Sequence, residues 1–190
     1  MTKDQILNIF IETDALLEGH FQLTSGLHSR QYFQCAKALQ YPRNMEALCN
    51  MIAARFKDSN VDVVISPAIG GIIVGQEVGR QLGVRTMFAE RKDGSLQLRR
   101  GFEIQKNENI LVCEDVTTTG GSAKEVIDIV ESRGGKVVGV GTIIDRSGGK
   151  VNFPNFYATL AVDVITYQPL ECPLCANGVP IDKPGSRGNK

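Results

Sequence analysis

Apolar positions along the chain follow two rhythms. From Asp4 to Leu17, the residues Ile6, Leu7, Phe10 and Ile11 recur at helical spacing. They predict an amphipathic N-terminal helix, with Gly19 punctuating its end. Residues 21–35 mix polar, aromatic and glycine positions, which suits short strands or loops. Pro42 suits the first turn of a second helix, whose apolar face is Leu48, Met51, Ile52 and Phe56. Beyond it, short β-branched runs alternate with helical stretches. Val61–Ser66 leads through the turn 67–71 to a helix ending near Leu82, and Arg85–Ala89 forms the next strand. Ile110–Cys113 precedes a helix with Val126, Ile127 and Val130 on one face, and Lys136–Ile144 is a fourth strand. Continuously apolar strands alternating with helices predict an α/β fold, a twisted parallel sheet flanked by helices on both faces.

In such a sheet, ligands bind beyond the C-terminal ends of the strands. The loops 66–71, 114–122 and 145–149 leave the strands there, and each is rich in small or polar residues. A chain of 190 residues suits a single domain with a full core. Lysine plus arginine equals aspartate plus glutamate at 21 each, which argues against a nucleic-acid partner. No apolar run has the length of a membrane span, and Met1-Thr-Lys-Asp4 does not open a signal peptide. The expectation is a cytoplasmic protein without nucleic-acid or membrane partners.

The five cysteines, an odd number, speak against a disulfide framework. Cys172-Pro-Leu-Cys175 has the spacing of half a zinc site, but no second Cys-x-x-Cys exists. His20 and His28 do not stand at the usual spacing to complete it, so the segment reads as a C-terminal turn with free thiols. Pro, Gly, Lys and Arg gather in the last dozen residues, which predicts a mobile tail.

The segment Ile110–Ser122 carries the most chemistry. An apolar strand runs into Glu114 and Asp115, then Val116, Thr117, Thr118, Thr119, Gly120 and Gly121, and a helix follows. Paired carboxylates can accept hydrogen bonds from vicinal sugar hydroxyls or help hold a divalent cation. Threonine hydroxyls and bare glycine N–H groups at a helix N-terminus suit a phosphate. Ser122-Ala-Lys-Glu125 reads as a capping box that places the helix start. There is no nucleoside-triphosphate loop of the Gly-x-x-x-x-Gly-Lys-Ser/Thr kind, and Gly139-Val-Gly141 lacks the third glycine of a dinucleotide fingerprint.

Val112-Cys-Glu-Asp-Val-Thr-Thr-Thr-Gly-Gly-Ser122 resembles the signature of the type I phosphoribosyltransferases. Phe21–Phe33, Phe88–Lys92, Arg99–Phe102 and Asp145-Arg146 are similar, in order and spacing, to the orotate phosphoribosyltransferases, so the likeness runs over roughly residues 5–170. It implies the type I fold with a small hood from the chain ends, the core at about 42–168 and the hood at about 1–41 and 169–190.

By that resemblance Glu114 and Asp115 hold the ribose hydroxyls, and Val116, Thr117, Thr118, Thr119, Gly120, Gly121 and Ser122 cradle the 5′-phosphate of phosphoribosyl pyrophosphate. Ser66–Gly71, with Ala68 and Gly70, takes the pyrophosphate. Many orotate enzymes carry lysines at the positions of Thr24 and Gly70, so this chain draws positive charge from elsewhere. Arg91, Lys92, Arg99 and Arg100 supply it from a mobile loop spanning 91–105, which in the family completes the neighbouring subunit's site in a homodimer. Arg146, whose planar fork matches a carboxylate, is placed against orotate with Thr118, Ser25, Tyr32 and Phe33. Mg²⁺ is implied, bound mainly through the substrate, with Asp115 as the candidate protein group.

The implied activity is that of a pentosyltransferase of pyrimidine (UMP) biosynthesis, which joins orotate to the ribosyl 5-phosphate group and releases pyrophosphate. Asp115, Glu114, Arg91, Lys92 and Arg100 carry the catalysis. Two other readings keep the phosphoribosyl site: transfer to a purine or uracil, or a non-catalytic sensor of phosphoribosyl pyrophosphate. The sensor reading expects a nucleic-acid-binding segment that the sequence does not contain.

Overall fold

A computed structural model of the chain describes residues 1–23 and 25–184. Thr24 and the end of the basic tail lie outside the described residues. In chain order the elements begin with α1 (Lys3–Glu12), β1 (Leu16–Gln22), β2 (His28–Phe33), α2 (Cys35–Leu39) and α3 (Pro42–Phe56). They continue with β3 (Val63–Pro67), α4 (Gly70–Leu82), β4 (Arg85–Lys92), β5 (Ser95–Leu98), β6 (Asn109–Thr117) and α5 (Gly121–Ser132). After these come β7 (Lys136–Asp145), β8 (Tyr157–Ala161), β9 (Thr166–Tyr167) and α6 (Pro173–Ala176).

The chain divides into two compact units, residues 39–162 and residues 1–38 with 163–190. The larger unit is a six-stranded sheet in the order β5-β4-β3-β6-β7-β8. It is parallel throughout except for the β4–β5 hairpin at one edge. This is the predicted α/β sheet, extended by the short strands β5 and β8. On one face α5 buries Ala123, Val126, Ile127 and Val130 against Val63, Ile65, Ile110 and Val112. On the other face α3 packs on β7, where a Cβ at Gly139 would overlap the Phe56 ring and one at Gly141 would meet Ile52 at 2.5 Å. The pair Gly139 and Gly141 is therefore space left for a helix, not part of a nucleotide fingerprint.

In the smaller unit β1, β2 and β9 form an antiparallel sheet. The N-terminal helix is shorter than its apolar spacing predicts. Thr13 Oγ1 bonds back to the Ile9 carbonyl at 2.6 Å and Asp14 takes a left-handed φ of 51°, so the chain leaves the helix before Leu16. Gly19 lies inside β1, tight against the Phe21 ring. A capping box does exist, between Thr2 and Gln5 at the start of α1.

Candidate active site

Three adjacent parallel strands, β3, β6 and β7, end together, and the loops anticipated from the sequence leave them side by side. β6 runs to Thr117, so Glu114 and Asp115 lie within the strand and not beyond its end. Alternation then sends the two carboxylates to opposite faces. Ile110 and Val112 join the core under α5, and Glu114 continues their side. Asp115 meets the start of α4, where a Cβ at Gly70 would lie 2.6 Å from its carboxylate carbon. The absence of a side chain at position 70 thus gives Asp115 its place.

Burial sets the protonation of the pair. Glu114 is 8% exposed, and desolvation, with the nearby Asp115 charge second, pushes its carboxyl up from 4.5 to about 8, against a smaller opposing pull from the Thr117 hydroxyl. Desolvation also raises Asp115, and backbone hydrogen bonds oppose it. At neutral pH Glu114 therefore holds its proton and can donate as well as accept. A carboxyl whose folded value exceeds its unfolded one stabilises the fold fully below 4.5, and that contribution is lost as pH rises through about 8. Glu114→Gln is expected to remove this slope, so that the variant overtakes the parent protein at high pH by on the order of 4 kcal/mol. Denaturant midpoints from pH 5 to pH 9 test this, and a constant difference would refute it.

The N-terminus of α5 is open. Gly120 precedes it with φ 76° and makes no side-chain cap. The expected Ser122–Glu125 capping box does not form, because the helix already starts at Gly121 behind a Gly120 N-cap, which puts Ser122 inside the first turn, and Glu125 turns to the neighbouring hairpin. Its carboxylate accepts from Arg91 Nη2 at 2.8 Å and from the Leu96 backbone N–H at 2.8 Å. The first N–H groups of α5 are left facing outward beside Thr117, Thr118 and Thr119, an arrangement that suits an anion. Gly120 is doubly constrained: besides its positive φ, a Cβ there would meet Phe153 at 2.5 Å and Val151 at 2.9 Å.

α4 likewise starts without a side-chain cap, after a loop in which Ala68 N–H bonds the Ala89 carbonyl at 2.7 Å and the Ala68–Ile69 peptide is cis. At the end of β7, the Arg146 N–H bonds the Thr117 carbonyl at 2.8 Å, which ties the third loop to the second.

The basic stretch is an ordered hairpin. Asp93 and Gly94 both take positive φ, 51° and 87°, in a two-residue turn, and Leu96 is buried. Arg91 is held by Glu125 and by the Gly94 carbonyl. Lys92 is exposed at the strand end. Arg99 and Arg100 share one carboxylate, Glu90, at 3.4 and 3.0 Å, and Arg100 also lies over the Phe88 ring. Two guanidinium groups against one carboxylate leave net positive charge there.

Of the residues expected to meet the base, Ser25 is exposed in the β1–β2 turn, and Tyr32 packs against Phe21 with ring centroids 5.7 Å apart. Phe33 is 4% exposed, edge-on to Phe10 at 5.6 Å. Its ring is packed into the core of the smaller unit. Cys172 and Cys175 are free thiols, as expected, but the turn that carries them has neighbours the spacing did not show. Both thiols lie against His20, which strand pairing brings beside His28. Sequence spacing could not find this group, because the cysteines stand more than 140 positions from either histidine.

Residues 36–160 match the family profile described as the phosphoribosyl transferase domain. An orotate phosphoribosyltransferase of Chlorobium phaeobacteroides is 56% identical, over 100% of this chain and 99% of its own length. The chain belongs to the orotate phosphoribosyltransferase family. A further family member, from Caldanaerobacter subterraneus, is 54% identical over 98% of this chain and 99% of its own length. Solved structures agree on the fold. The orotate phosphoribosyltransferase of Aeropyrum pernix superposes with TM-score 0.72 at 20% identity, covering 83% of this chain and 93% of its own. An adenine phosphoribosyltransferase from Thermoanaerobacter pseudethanolicus gives 0.63 at 15% identity, covering 70% and 88%. The fold is thus shared by enzymes named for different bases, and the choice of base within the family rests on sequence. Among the described residues no helix is long and apolar enough to cross a membrane.

Proposed function

We propose that the chain transfers the ribosyl 5-phosphate group of phosphoribosyl pyrophosphate to orotate, giving orotidine 5′-monophosphate and pyrophosphate. The observation that carries this reading is the passage from a buried carboxyl pair directly into the uncapped N-terminus of α5. It sets acceptors for sugar hydroxyls beside donors for a phosphate. Membership in the orotate branch supports the base.

Asp115, with Glu114, fixes the ribose and faces the positive charge that develops at C1′ as pyrophosphate leaves. Thr117 to Ser122 orient the 5′-phosphate. Arg146 and Thr118 present the flat base, Arg146 pairing its fork with the orotate carboxylate. No protein nucleophile is required, because the orotate ring nitrogen itself attacks C1′. Positioning and charge neutralisation supply the acceleration.

Mg²⁺ fits the donor set. A partly desolvated Asp115 carboxylate, whose proton affinity burial raises, is the kind of oxygen ligand a hard cation rewards. When bound, the ion lends positive charge to the pyrophosphate. Lys92 and the Arg99–Arg100 pair supply further charge, and in a cytoplasmic homodimer they do so across the subunit boundary.

The test is direct. The protein with Mg²⁺ and phosphoribosyl pyrophosphate is mixed with orotate, and the orotate absorbance is followed. Loss of absorbance with release of pyrophosphate is expected. Consumption of adenine or uracil in its place would overturn the choice of base, and binding of phosphoribosyl pyrophosphate without turnover of any base would overturn the activity.

A further inference from the structure

His20, His28, Cys172 and Cys175 have no part in the proposed reaction, yet one potential ligand atom from each lies within 4.8 Å of all the others. We propose that these four side chains form a structural zinc site within the unit built from the two chain ends. His20 Nε2 stands 3.6 Å from Cys172 Sγ, 3.7 Å from Cys175 Sγ and 3.0 Å from His28 Nδ1, and Cys175 Sγ is 3.3 Å from His28 Nδ1. Zinc bonds of about 2.3 Å to sulfur and 2.0–2.1 Å to nitrogen, set at tetrahedral angles, require edges of roughly 3.6 Å for N–S and 3.3 Å for N–N. The four separations fall close to those edges. Two thiolates with two imidazoles in that geometry select zinc over harder cations.

The surroundings supply a second argument. His20 Nδ1 lies 2.7 Å from the Val179 carbonyl, which can only accept, so the proton sits on Nδ1. Nε2 then offers one lone pair inward, and the two thiols and the second imidazole converge on it. A single cation at their centre would take one lone pair from every group. The Nδ1–H to carbonyl bond is also the supporting contact that zinc-bound histidines ordinarily make.

The topology explains what such a site would do. His20 is on β1, in the register shift between Glu18 and Phe21, and His28 is on the paired strand β2 opposite Gln22. Cys172 and Cys175 flank and occupy the single turn of α6. The following segment runs back along β1, with Asp182 N–H bonding the His20 carbonyl at 2.8 Å and Gln22 N–H bonding the Asp182 carbonyl at 2.8 Å. A small unit assembled from both ends of a chain has little core, and a metal crosslink fastens the C-terminal segment to the hairpin.

Metal analysis of the full-length protein, purified under reducing conditions without a histidine tag and dialysed, is expected to find one zinc per chain. Replacement by Co²⁺ should give the intense visible bands of a tetrahedral site and a thiolate-to-cobalt charge-transfer band. Cys175→Ser removes the most exposed ligand, so the chain should still fold while losing retained zinc and part of the charge-transfer intensity. Cys35→Ser, outside the cluster, should keep both. Absence of zinc and of the cobalt bands in the parent protein, or a Cys172–Cys175 disulfide in the protein as isolated, would overturn the proposal. So would full zinc retention by Cys175→Ser.

Discussion

Asp115→Asn is expected to lower turnover by about 10²-fold or more while leaving the protein as stable as before, or more so. The asparagine keeps the shape of the side chain beside Gly70 but removes the charge. On the proposed mechanism that charge counts most against the sugar cation of the transition state, while the asparagine can still accept a ribose hydroxyl, so the loss should fall mainly on kcat. The same burial that raises the Asp115 carboxyl makes its ionised form costly to the folded protein, so the neutral substitute relieves that cost. Steady-state kinetics and thermal melting on one preparation separate the two effects. Turnover within a few-fold of the parent would remove Asp115 from the chemistry. A large fall in melting temperature would assign it a structural role instead.

Gly120→Ala should act in the opposite way, on binding and stability together. An alanine at φ 76° is strained, and its methyl group would be driven into Phe153 and Val151. The strain and overpacking together cost roughly 1–3 kcal/mol. Relief requires the first turn of α5 to shift, which misdirects the N–H groups meant for the 5′-phosphate. The Michaelis constant for phosphoribosyl pyrophosphate should rise about tenfold or more, with a smaller change in kcat. The decisive measurements are that constant and the denaturation midpoint. If both are unaltered, the glycine is not what positions the helix.

The sequence was most legible where local pattern and tertiary packing agree. Buried parallel strands need apolar residues on both faces, so the runs at Val63, Ile110 and Lys136 identified themselves, and Pro42 marked the start of α3. Local pattern misled where the helix start is set by something other than the cap letters. Ser122-x-x-Glu125 has the letters of a capping box, but α5 begins behind Gly120 and puts the serine inside its first turn. Thr2-x-x-Gln5 has equivalent letters, Thr2 is the N-cap itself, and there the box forms. The N-terminal helix was overextended because Leu16 and Leu17 continue the apolar content while the left-handed Asp14 has already turned the chain.

The candidate site divides in the same way. The phosphate loop is contiguous in sequence, so its residue types and order were visible together. The hairpin cations were visible as charge, but their pairing with Glu90 and Glu125 depends on strand register and helix docking. The packing of Phe33 against Phe10 joins β2 to the N-terminal helix, a contact that no local spacing shows. The histidine–cysteine cluster needs four residues from three separated segments, and no spacing rule spans such a gap.

The contact between Gly70 and Asp115 also bears on how this chain can change over time. The missing side chain of Gly70 is the space into which the Asp115 carboxylate fits. Any replacement at 70 is therefore felt first at 115. The two positions are epistatic: a cation gained at the loop is offset by a displaced carboxylate until a further substitution restores the room. A side chain gained at 70 is thus a change at two positions at once, and it is tolerated only together with a second substitution.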